Sequence, residues 1–123
     1  MGMANAVNWF EIPAVNFDRA VKFYSDIFVT QFPVQDVMGT RMAFFHAEKG
    51  VGGAVVQGDG YVPSDKGVLV YLNGGDDLSH VLNRVEIAGG KVLVPKTHIT
   101  REIGYFAVFR DVEGNRVAIH SMK

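Results

Sequence analysis

The chain has 123 residues, 48% hydrophobic and 20% charged, the size and composition of one globular domain with a core of its own. A net charge of -1, with Lys and Arg scattered rather than clustered, gives no long-range pull toward nucleic acid. No apolar run approaches the roughly 20 residues of a membrane span, no basic-then-apolar leader opens the chain, and the absence of cysteine removes disulfide and thiol chemistry. The expectation is a soluble, cytoplasmic protein.

Residues 6–12 alternate as a strand. Val7, Trp9 and Glu11 point one way; Asn8, Phe10 and Ile12 point the other. Pro13 lacks an amide donor and closes it. Asn16 is placed to cap a helix, and Phe17, Ala20, Val21, Tyr24 and Phe28 recur at the three-and-four spacing of one buried helix face. Three strands are expected next, over residues 31–37, 40–47 and 52–57, the last two separated by a turn at Glu48-Lys49-Gly50. Residues 58–67, polar and containing Gly and Pro63, read as a linker.

The same order then returns. Residues 68–73 predict a strand, and Asp76 or Asp77 a cap. Leu78, Val81, Leu82, Val85 and Ala88 predict a helix face, which Gly89-Gly90 ends. Strands are expected at 92–95, 104–110 and 116–121, the last two joined by a hairpin turn at Asp111–Asn115. Lys96–Glu102 read as a polar segment between strands, able to overhang a cavity. One module therefore spans about 5–58 and a second about 67–123. Aligning Asn16 with Asp76 puts Phe10 over Val70 and Ile12 over Leu72, all four facing helices. The opposite parity pairs Trp9 with Leu69 and Glu11 with Tyr71.

The stretches WFEIP, FDRAVKFY, AGGKVLVPKT and DVEGNRVAIHS, spread over about residues 6–121, resemble the vicinal oxygen chelate superfamily. That superfamily holds glyoxalase I, bleomycin-resistance proteins and extradiol dioxygenases, and the likeness is to a bacterial glyoxalase-like branch. The resemblance implies an α+β fold of two tandem βαβββ modules, forming curved mixed sheets around a concave cavity, and a homodimer. Metal-using relatives carry four His, Gln or Glu ligands on the first and last strands of each module. A divalent metal needs such nitrogen and oxygen donors converging near 2 Å. The corresponding positions here are Trp9, Leu69 (or Val70 if the register slips by one), the GGAVV strand and Ala118, and none offers a donor. No metal or other cofactor is expected.

Two polar groups lie beside those positions. Glu11 is two residues past Trp9 and His120 two past Ala118, each on the same face as its neighbour. If the first and last strands approach, they can face one cavity and act as a carboxylate–imidazole pair that binds a polar ligand or moves a proton. Otherwise His120 sits near solvent and Glu11 pairs with a Lys or Arg. Trp9, Tyr71, Lys96 and Ala118 complete the candidate lining, Lys96 as a rim cation suited to an anionic ligand. His80 falls on the polar helix face, His46 at a strand end, and His98 beside Lys96 in the polar segment. Walker, GxGxxG and nucleophile-elbow patterns are missing. The expected function is metal-free binding of a small organic molecule, with acid–base turnover through Glu11 or His120 left open. The alternatives are a metal-dependent lyase, isomerase or dioxygenase of the glyoxalase I type, and a drug-sequestering protein that captures without chemistry.

Overall fold

The computed structural model describes residues 5–123. Strand β1 (Trp9–Pro13) leads into helix α1 (Phe17–Phe28), followed by β2 (Val34–Val37), β3 (Thr40–Phe45) and β4 (Gly52–Gln57). Strand β5 (Tyr71–Asn73), helix α2 (Ser79–Val85), β6 (Lys91–Thr100), β7 (Gly104–Arg110) and β8 (Arg116–Ser121) repeat that sequence. The strands form two mixed four-stranded sheets of the same plan, β1-β4-β3-β2 and β5-β8-β7-β6. In each, the strand before the helix pairs in parallel with the last strand of its module, and the other pairs are antiparallel. Among the described residues, no helix is long and apolar enough to cross a membrane.

Helix α1 forms where its sequence signals place it. The Asn16 side chain accepts the Arg19 amide at 3.1 Å, filling one of the orphan donors of the first turn. Phe17, Ala20, Phe23, Tyr24 and Ile27 are buried. The helix ends at Val29, whose φ of 51° puts a β-branched residue in the left-handed region. The last carbonyls of α1 have no base of their own helix; Arg84 of α2 reaches across and donates to the Ile27 carbonyl at 3.1 Å.

Both helices pack into one core. Phe10 and Ile12 of β1, Val70 and Leu72 around β5, and Phe109 and Ile119 face it together with the two helices, as the alternation predicted. A polar seam joins the modules at the turn between β7 and β8. Tyr24, fully buried, donates its hydroxyl to Asp111 at 2.7 Å. Asn115 donates to the Pro13 carbonyl at 2.8 Å and to Asp111 at 3.0 Å. Glu113 accepts the Val15 and Asn16 amides at 2.6 and 2.7 Å and pairs with Arg19, so a residue of the second module caps the first helix of the other. Burial pushes the Asp111 carboxyl up, only partly offset by the bonds it accepts from Tyr24 and Asn115. For Glu113, burial acts in the same direction, but the bonds from Arg19, Asn16 and Val15 outweigh it and hold the carboxyl below its ordinary value.

Several boundaries differ from expectation. Strand β6 runs through Thr100 instead of stopping at Pro95, so Lys96–Thr100 pair with β7 rather than overhanging a cavity. Proline cannot donate to a ladder, and the strand accommodates it with register shifts on both sides of Val94. Strand β5 is three residues rather than six, β1 is shifted to Trp9–Pro13, and β2 starts at Val34 rather than residue 31. Helix α2 begins after Leu78 with no side-chain cap. Asp77 instead accepts the Ser79 amide at 2.9 Å, and its other engagement is with Lys96.

Candidate functional site

Strands β1 and β5 are the outer strands of their sheets, and among the described residues each leaves one edge unpaired. Between them lies a slot of about 660 Å³ lined by Val7, Trp9 and Glu11 on one side and Val68, Tyr71 and Asn73 on the other, with Phe45 behind. Residues of both parities on each strand line it, so the slot follows the strand edges rather than one sheet face. It is mainly apolar. Among the described residues its lining includes one carboxylate, Glu11, and no basic side chain.

Glu11 is held by two aromatic donors. The Tyr61 hydroxyl donates to Oε1 at 2.9 Å and the Trp9 indole N–H to Oε2 at 3.3 Å. The bond to Glu11 raises the Tyr61 phenol above its ordinary pKa, because loss of its proton would place two negative charges together. Trp9 also leans on Phe44, ring centroids 6.0 Å apart, and remains 43% exposed. Each carboxylate oxygen keeps a further lone pair for a ligand donor.

The structure separates Glu11 from His120. His120 lines a different cavity of about 650 Å³ with Tyr71, Asn73, Ile99 and Ile103, and Glu11 is absent from it. The His120 ring Nε2 meets the Ile103 carbonyl; a carbonyl only accepts, so Nε2 carries the proton. No carboxylate–imidazole pair forms. Tyr71 lines both cavities, and its ring packs against Phe106 at 6.5 Å. Ala118, expected on the lining, is fully buried in a cross-strand row between Tyr71 and Val108. Lys96, expected at a rim, pairs with Asp77 at 2.9 Å and lies over the Tyr105 ring at 4.7 Å. The bond from Lys96 holds the Asp77 carboxyl well below the usual carboxylate range. His98 packs against Tyr105, while His46 and His80 are exposed.

Sequence reasoning missed Tyr61 and Asn73. Tyr61 sits in the stretch read as a linker, where its amide donates to the Gly58 carbonyl at 3.1 Å and the turn brings the phenol back over β1. A lone aromatic in a Gly-, Asp- and Pro-rich stretch was the available signal. The side chains at the positions where the resemblance implies metal ligands do not fit a metal. Trp9 and Leu69 line an apolar slot, Ala118 is sealed under its neighbours, and Ala54, in register with Glu11, carries only a methyl. Among the described residues no three His, Asp or Glu side chains converge on a common point.

Comparison with known proteins agrees with this architecture. A glyoxalase/bleomycin resistance protein/dioxygenase structure from Burkholderia phytofirmans PsJN superposes with a TM-score of 0.68 at 15% identity, covering 94% of this chain and 98% of that one. A glyoxalase I mutant from Zea mays gives 0.65 at 18% identity, over 94% of this chain but 45% of the maize chain. In sequence, a glyoxylase-like domain-containing protein of Didymella fabae is 31% identical over 127 aligned residues, covering 97% of this chain and 95% of the relative. The family model for the Glyoxalase/Bleomycin resistance protein/Dioxygenase superfamily matches residues 6–119, and the chain belongs to that superfamily.

Proposed function

We propose that this glyoxalase-like protein binds a small organic molecule in the slot between β1 and β5 and uses no resident metal ion. The observation that supports this is the slot itself: several hundred Å³ of mainly apolar surface around one hydrogen-bonded carboxylate, the usual make-up of a small-molecule site. Trp9 and Tyr71 supply flat apolar walls, and Glu11 with Asn73 orients polar groups of the ligand. With His120 bonded to Ile103 in another cavity, Glu11 has no imidazole partner in the slot, which favours capture over turnover. That supports the sequestering reading over the metal-dependent one. The homodimer expected from the resemblance belongs to this proposal and is read directly by sedimentation.

The test is mass spectrometry of small molecules released from the purified protein. One species should be enriched over a mock purification and lost from a folded Trp9→Ala variant. Equal release from both proteins would refute the slot as the site.

A further inference from the structure

The face of the second sheet that turns away from the helices carries an unusual row. The register aligns Lys91 of β6 with Arg110 of β7, and Arg110 with Arg116 of β8. Their neighbours Val92, Phe109 and Val117 point to the core, so the three cations share the opposite face. All three are exposed, and none has an acidic partner within 4.0 Å among the described residues. Like charges directly opposite on a sheet disfavour folding. An edge-strand lysine guards against sheet-to-sheet pairing, which explains Lys91. It does not explain Arg110 and Arg116, which lie on the two inner strands.

The row ends at a cavity. A chamber of about 260 Å³ is lined by Glu11, Val62, Ser64, Val68, Val70 and Arg116. Glu11, Val68 and Val70 line the main slot as well, so the chamber continues the slot toward Arg116. It opens because β5 begins only at Tyr71, leaving the first residues of β8 paired with β7 alone and without a strand partner on the β5 side. The path thus runs from an apolar slot, past one carboxylate, to Arg116, with Arg110 on the next strand and Lys91 on the one beyond it, neighbouring strands being about 5 Å apart.

We propose that the ligand is an amphipathic molecule with a single anionic head group. Its carboxylate or phosphate group sits on Arg116 and Arg110, with Lys91 adding to the field, and its apolar body extends through the chamber into the slot. Guanidinium groups suit both anions because their paired N–H donors match two oxygens at once. Glu11 at the inner end disfavours a second negative charge there and sets the direction of entry. This inference rests on the slot being the binding site.

Calorimetric titration with 4-phenylbutyrate, 4-phenylbutyl phosphate and the neutral 4-phenylbutanol tests it. Both anions should bind at least about tenfold tighter than the alcohol in low salt, with the advantage shrinking as salt is added. The Arg110→Gln/Arg116→Gln double variant should lose that advantage while keeping the alcohol's affinity and an undiminished Tm. Lys91→Gln should lose part of it. Equal binding of anion and alcohol, or an anion advantage that survives in the double variant, overturns the proposal and leaves the slot standing. So does a double variant that changes its oligomeric mass and not its selectivity, which would mark the row as a protein contact. If the wild-type protein binds none of the three probes, the slot reading fails with it.

Discussion

Replacing Tyr24 by Phe removes one oxygen from the seam between the modules. The phenol is fully buried and donates at 2.7 Å to Asp111, itself 4% exposed. Phe fills the same space, so the loss is that of a hydrogen bond to a buried carboxylate, about 2 kcal/mol. For a chain of this size that lowers Tm by about 8 °C. The effect should depend on pH. Burial raises the Asp111 carboxyl above its unfolded value, so between those two values the folded protein is the better proton binder. Asp111 therefore favours folding at low pH, and this contribution is lost as pH rises through its folded pKa. Tyr24 stabilises the charged form, so the Tyr24→Phe deficit should be greatest at neutral pH and shrink on acidification. Thermal unfolding followed by circular dichroism at several pH values measures it, and a cycle with Asp111→Asn isolates the pair. A deficit below about 0.5 kcal/mol at pH 7, or one that grows toward acid, would refute the reasoning.

Val29 ends α1 with a left-handed backbone and an exposed side chain, so Val29→Gly should stabilise by about 1 kcal/mol, seen as a Tm rise of about 4 °C. Glu113→Gln should destabilise by about 1 kcal/mol at neutral pH, because the charged carboxylate caps α1 and pairs with Arg19. Its folded pKa is depressed, so this stabilisation exists above the unfolded value and disappears as pH falls through the folded one, opposite in sign to Asp111. Prolonged treatment with a chelator should leave Tm within about 1 °C; a larger fall restored by Zn, Ni, Fe or Mn would contradict metal-free binding.

What the sequence made legible was local. The face of α1, the Asn16 cap, the inward parity of Phe10 and Ile12, and the Asp111–Asn115 turn each depend on spacings of a few residues. Duplication then carried the order of the first module onto the second. The slot was not legible, because it lies between edge strands of two different sheets, far apart in the chain. The Glu11–His120 pairing failed for the same reason: same-face parity on two strands says nothing of the distance between them. Glu113 capping a helix 97 residues earlier, and Tyr61 folding back onto Glu11, are tertiary contacts without periodicity. Strand β6 was cut short at Pro95 because a proline usually ends a strand, whereas here bulges absorb it.

Trp9 is the chain's one tryptophan, and it forms a wall of the slot. Its fluorescence therefore reports on that site alone, without a label. Titration of the wild-type protein with 4-phenylbutyrate, excited at the indole band, should give a saturable change in intensity together with protection from acrylamide quenching, and Glu11→Gln should alter the binding curve. An emission spectrum and quenching constant that stay flat while calorimetry records binding would place the ligand elsewhere and contradict the slot.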